Sequence, residues 1–269
     1  MPFTLAHPAA VLPLLRRPFV PAALVAGAVA PDLPYFLRAT GLPVTAQSWY
    51  APFVNATTSH SVSGAVTVGL PLAASLYLAW LVSRPAAAAL TGSAPGASPV
   101  RPGAPARRLA VRCVWVVVSL VLGLATHLAW DSFTHGDGYV VTHVPALRAT
   151  VAGDLTWARL LQHLSTAGGL AVLAVHGWRR RSVLERLDAP ARRRLAAAAG
   201  AAAIAAAVGA ALASRRWWGT TDGADSARTV VEGVLSDAAT GAGAGLGALV
   251  AVAVVGWWVH RVAAAPGAR

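Results

Sequence analysis

A chain of 269 residues that is 56% hydrophobic and only 12% charged cannot cover a globular surface with solvated side chains. Soluble domains carry about 25% charge, so lipid is the expected solvent for much of this one. The formal net charge of +12 would suit nucleic acid, but every basic residue is arginine and they fall in short clusters between apolar runs, such as Arg107-Arg108-Arg112 and Arg192-Arg193-Arg194. That is the pattern of membrane topology, and no nucleic-acid partner is expected. The one cysteine, Cys113, excludes an intramolecular disulfide and a cysteine-based zinc cluster.

In chain order, "FTLAHP" places His7 directly before a proline that can start a helix. No cleavable signal peptide is expected, because Arg16-Arg17 follows the first apolar stretch instead of preceding it. The stretch Phe19–Leu37 is broken by Pro21, Pro31 and Pro34 and reads as a re-entrant or half-buried hairpin. Within it, "AVAPDLPYF" sets Asp32 between two prolines, where the backbone is held away from helix and the carboxylate is aimed. "TSHS" then puts His60 at the head of a span over Ser61–Val82. A Pro- and Gly-rich stretch without acidic residues, 83–108, reads as a flexible basic cytoplasmic loop.

The span Leu109–Trp130 ends in "THLAWDSFTH", with His127, Asp131 and His135 at intervals of four. Residues i and i+4 share a helical face, so His127 and Asp131 can reach one ion. "LLQHLS" follows with Gln162, His163 and Ser165, opening a short third stretch, Leu164–Trp178. Leu195–Ala213, rich in Ala and Gly, and Gly243–His260 complete about five spans of roughly 20 residues or slightly less. The expected fold is therefore an all-α polytopic membrane helix bundle with a proline-broken N-terminal hairpin. Segments 131–163 and 217–240 hold most of the acidic residues, so they are expected outside and the arginine clusters inside. This alternation brings His60, His127, Asp131, His135 and His163 to one outer interface, and His7 and Asp32 join them if the N-terminus is also outside.

Ionisable side chains beside lipid cost several kcal/mol unless they are paired or bound to metal. A set of His and Asp suits zinc, or manganese or iron, with mixed nitrogen and oxygen ligation. An HxxxD pair alone is equally an interfacial His hydrogen-bonded to an Asp. Gln162 and Ser165 either donate hydrogen bonds that orient a ligand or make helix-packing hydrogen bonds. His143, His176 and His260 read as capping or interfacial groups.

The motifs "MPFTLAHPAAVLPL", "GAVAPDLPYFL", "HSVSGAVTVGLPLAASLYL", "THLAWDSFTH" and "LLQHLSTAGGL" resemble the bacterial membrane proteins of the domain-of-unknown-function 4184 family. The resemblance covers residues 1–180, and the tail from Leu195 matches only in hydrophobicity, which divides the chain into a family-like region, 1–180, and an extension, 181–269. The family is in turn similar to inner-membrane metal-dependent hydrolases regulated by LexA, and through them to the helical fold of zinc-dependent phospholipase C. The resemblance implies a metal site on His7, Asp32, His60, His127 and Asp131, with His135 and His163 in matching motifs. It supplies no activity. The expectations are a metal-dependent hydrolase acting at the outer face of a bacterial cytoplasmic membrane on a lipid-like or phosphoester substrate, or a non-catalytic membrane protein with a structural metal or polar cluster.

Overall fold

The computed structural model describes residues 4–41, 48–92, 105–217 and 227–264. The protein is all-α. Its longer helices are α1 (Pro21–Val29), α2 (Leu33–Ala39), α3 (Leu70–Thr91), α4 (Ala106–Thr134), α5 (Trp157–Arg179), α6 (Ala189–Ser214) and α7 (Ala227–Ala263). Among the described residues the strands are limited to a small antiparallel hairpin of β1 (Thr150–Ala152) and β2 (Leu155–Thr156), turning at Gly153, whose φ of 53° suits a residue without a side chain.

Among the described residues four helical segments are long and apolar enough to cross a membrane: Val62–Thr91, Ala106–His143, Ala189–Ser214 and Val230–Ala263. The expected third span, Leu164–Trp178, is not among them. It lies in α5, where Gln162, His163, Ser165 and Thr166 dilute the hydropathy. The loop expected from residue 83 also begins later. α3 runs on to Thr91 through Pro85, because the alanines that follow are strong helix formers; residues 93–104 lie outside the described residues. The N-terminal prolines start helices as much as they interrupt them. Pro21 occupies the first position of α1, where its missing N–H has no helical partner to lose. Pro31 opens the 3-10 turn Ala30–Asp32 that joins α1 to α2.

Two compact units divide the chain. The first comprises Met1–Pro34, Trp49–Trp80 and Pro99–Glu185. Its centre is the crossing of α1 and α4 on Gly27 and Gly123: a Cβ on Gly123 would stand 2.1 Å from Leu24 O, and one on Gly27 would stand 2.2 Å from Leu120 O. Lipid offers no hydrophobic force between helices, so such small residues, by letting backbones touch, supply the packing contact. Val11, Leu24 and Ala28 are fully buried beside the crossing.

The second unit comprises Tyr35–Ser48, Leu81–Ser98 and Arg186–Arg269. Here α6 and α7 run antiparallel, with Gly209 against Gly241 and Ala205 against Gly245, again at backbone contact. The Trp217 indole donates to Asp237 Oδ2 over 2.7 Å, and Trp258 Nε1 donates to Val82 O over 3.1 Å.

Candidate metal centre

One face of α4 builds most of the site. Ser119, Gly123, His127 and Asp131 recur every four residues and so lie along one stripe. Ser119 Oγ accepts the Val20 N–H over 2.9 Å at the start of α1, and Gly123 admits α1 to backbone contact. One turn further, His127 is fully buried and its Nδ1 lies 2.7 Å from Ala28 O. A carbonyl only accepts, so Nδ1 carries the proton and Nε2 is left with a lone pair directed toward Asp131.

The other donors arrive on short turns. Asn55 Oδ1 caps the turn Ala56–Ser59 by accepting the Thr57 N–H, and His60 closes that turn with Nδ1 2.8 Å from Ala56 O. Ser59 Oγ donates to Pro31 O over 2.6 Å, which fastens the His60 turn to the Asp32 turn. Asp32 ends the 3-10 turn and is buried. His7, just ahead of the turn Pro8–Val11, stacks its ring on His127 with centroids 3.7 Å apart and planes 18° from parallel.

These segments bring the lone pairs together. The Nε2 atoms of His60 and His127 are 3.3 Å apart. Asp131 Oδ2 lies 3.2 Å from the former and 3.1 Å from the latter, and Asp32 Oδ1 lies 3.4 and 3.6 Å from them. One ligand atom from each of Asp32, His60, His127 and Asp131 fits within a 4.8 Å spread. Both carboxylate oxygens of Asp32, both of Asp131, His7 Nε2 and His135 Nδ1 are buried without a hydrogen-bond partner. Leaving a buried polar atom unsatisfied costs about 1–3 kcal/mol, and more for a charged one. A divalent cation is the partner that satisfies carboxylates and neutral imidazoles at once, while the outward Nδ1–H···O=C bonds are the usual supports of metal-binding histidines. The Asp32, His60, His127 and Asp131 group could hold a metal ion.

The local electrostatics agree. Burial, helped by the neighbouring His127, pushes His7 down to about 4, so its imidazole is neutral at physiological pH. Burial would raise the Asp32 carboxyl, but His60 alongside holds it below the usual carboxylate range. Burial would likewise lower His60, but contact with Asp131 and Asp32 pushes it up to about 10. Without an ion, a proton on His60 offsets one of the two carboxylate charges.

All five residues expected in one site are therefore gathered: His7 Nε2 reaches Asp131 Oδ1 at 3.6 Å, alongside the four-residue group. His135 joins them, with Nδ1 3.4 Å from the same oxygen. His163 is exposed on α5, outside the group. Gln162 is buried, and its carbonyl accepts the hydroxyls of Ser165 (3.0 Å) and Thr166 (2.9 Å), so the Ser165 hydroxyl is engaged within its own helix. His143 is exposed and turned back onto Tyr139 O at 2.7 Å. Sequence reasoning missed Ser59, Ser119 and the Gly27–Gly123 pair. The available signal was the four-residue interval, which extends back from His127 to Gly123 and Ser119.

The family model described as Domain of unknown function (DUF4184) matches residues 1–257. The chain belongs to that family. The DUF4184 match runs past the five motifs and covers most of the tail beyond Leu195 as well. No curated protein and no solved structure matches the chain.

Beside the metal-type donors this DUF4184 chain carries an apolar cavity of about 310 Å³. Ala6, Ala9, Trp130, Gly169 and Val172 line it, and His7 supplies the edge that it shares with the donor cluster. Gly169 makes room for the N-terminal turn, since a Cβ there would meet the Ala6 side chain at 2.9 Å.

Proposed function

We propose that this chain is a membrane-embedded, metal-dependent hydrolase acting on a lipid-like amphiphile or a phosphoester. The observation that carries the reading is the convergence of buried, unsatisfied carboxylate oxygens and imidazole nitrogens on one point, with the far nitrogens of His60 and His127 tied to backbone carbonyls. Asp32, His60, His127 and Asp131 would hold the ion, with zinc the expected metal and manganese or iron the other candidates. A divalent ion with a coordination position left open to water would supply Lewis acidity and lower the pKa of that water toward about 7. The chain's own part is to fix the donors, exclude bulk water by burial, and keep spare imidazole or carboxylate groups of the cluster within reach of a proton.

The cavity next to His7 supports an amphiphilic substrate, because its walls suit an aliphatic chain whose polar end would meet the donors. The similarity of the family, at one remove from these motifs, to the LexA-regulated hydrolases points the same way. Arg107, Arg108 and Arg112, at the end of α4 opposite the site, support a bacterial cytoplasmic membrane with the site on its outer face. A structural ion is the second reading. It is favoured by the full burial of His127 and by the way the cluster ties the N-terminal turn, the Asp32 turn and α4 together.

The test uses detergent-purified protein, stripped of metal and reloaded with zinc, with phospholipid vesicles and a chromogenic phosphoester as substrates. Zinc-dependent product release that is absent in His127→Ala is expected. Tight zinc binding without hydrolysis of either substrate would overturn the enzymatic reading and leave the structural ion. Labelling from outside should reach Asp137→Cys and miss Ala97→Cys in a Cys113→Ala background; the reverse pattern would move the site to the cytoplasmic face.

A further inference from the structure

The two oxygens of Asp131 face different partners. Oδ2 lies 3.1 and 3.2 Å from Nε2 of His127 and His60, which belong with Asp32 to the four-residue group. Oδ1 lies 3.6 Å from Nε2 of His7 and 3.4 Å from Nδ1 of His135. The three atoms on this second side, His7 Nε2, Asp131 Oδ1 and His135 Nδ1, are all buried without a hydrogen-bond partner. One carboxylate thus presents one oxygen to each of two imidazole pairs.

A four-coordinate zinc ion cannot serve both sides. Zinc on mixed nitrogen and oxygen donors takes four ligands at about 2.0–2.2 Å, and the first group already supplies four. The stacked rings of His7 and His127 make the point geometrically. They are nearly parallel with centroids 3.7 Å apart, and both Nε2 atoms face Asp131. Parallel imidazoles aim their in-plane lone pairs at two points separated by about the ring spacing, which is close to the roughly 3.5–4 Å between ions in two-metal hydrolytic sites.

We propose that the site holds two divalent cations bridged by Asp131: one on Asp32, His60, His127 and Asp131 Oδ2, the other on His7, His135 and Asp131 Oδ1. This rests on the metal reading above and extends it. The second set offers three protein donors, one fewer than the first, and its His7 borders the apolar cavity. An ion there keeps an exchangeable position on the side from which an amphiphile would approach.

The experiment is a metal count on the full chain in detergent, stripped and then dialysed against zinc, with electron paramagnetic resonance on a parallel manganese-loaded sample. The wild type should bind two ions per chain and show the exchange-coupled signal of a manganese pair. His7→Gln and His135→Gln should each fall to one ion and an uncoupled signal, whereas His176→Gln should keep two. One ion in the wild type with no coupled signal would overturn the proposal and leave the single-ion reading standing. No ion in the wild type would overturn both. Two ions retained in both His7→Gln and His135→Gln would also overturn it, by removing the assigned ligands. Should either variant fail to fold, the coupled signal of the wild type decides alone.

Discussion

The two units rest on the same packing device and put it to different use. In the first, Gly27 and Gly123 let α1 and α4 touch backbone to backbone; in the second, Gly209, Gly241 and Gly245 do this for α6 and α7. The difference lies one turn further along. After Gly123 the stripe continues into His127 and Asp131, whereas after Gly209 it continues into Ala213. A close crossing excludes water and lipid from its seam. Ala213 leaves that space apolar and inert, but a histidine and an aspartate there become buried donors, whose desolvation must be offset by a partner. The glycine crossing is the scaffold, and the polar residues at i+4 and i+8 make it a site.

Removal of those polar residues should have the largest effect. His60→Ala, His127→Ala, Asp131→Asn and Asp32→Asn should each weaken metal binding by more than the roughly 100-fold seen when only a supporting hydrogen bond is lost. His260→Ala in the second unit should leave the metal content unchanged, and equilibrium dialysis with zinc reads both.

A second break exchanges the scaffolds. Gly123→Ala places a methyl 2.1 Å from Leu24 O and should destabilise the first unit by about 1–3 kcal/mol or more, while also lowering metal content. Gly209→Ala meets Gly241 O at the same 2.1 Å and should cost a similar amount of stability with metal content retained. Loss of metal in both variants would mean that the crossing alone does not separate the units' roles. Metal itself should stabilise the protein by about 2.7 kcal/mol at a concentration 100 times its dissociation constant, and not at all in His127→Ala. A thermal midpoint unmoved by complete chelation would count against any ion.

Protonation gives a finer probe of the same contrast. His60 stands at about 10 in the metal-free fold against an ordinary value of 6.5. Its stabilising contribution is therefore full below about pH 6.5 and is lost as pH rises toward 10. Ligation needs the neutral ring, so at pH 8 zinc loading should release a proton from His60, and affinity should rise with pH up to about 10. Calorimetry in buffers of different ionisation enthalpy measures that release, which should fall in His60→Ala. The smallest effect is expected for Ser119→Ala. It leaves Val20 N–H without its acceptor and should cost about 1 kcal/mol with the metal count unchanged.

Composition and periodicity determined a good deal by themselves. So little charge on so apolar a chain requires lipid as solvent, and the four-residue interval of His127 and Asp131 requires a shared helical face, because the helix repeat is local. Span boundaries were less legible. α3 runs past residue 83 on alanine propensity, and α5 is a long helix too polar to rank with the four apolar ones. Topology put His60 at the right interface and the family resemblance grouped the five residues, but the contacts that join His7, Asp32 and His60 to α4 were decided by tertiary structure. They depend on Gly27 lying on Gly123, on the Ser59 hydroxyl reaching Pro31 O across 28 residues, and on Ala28 O receiving the His127 ring across 99. Contacts at such separations leave no periodicity in the chain, since it is the packed backbones, and not the spacing of residues along one helix, that set which lone pairs converge.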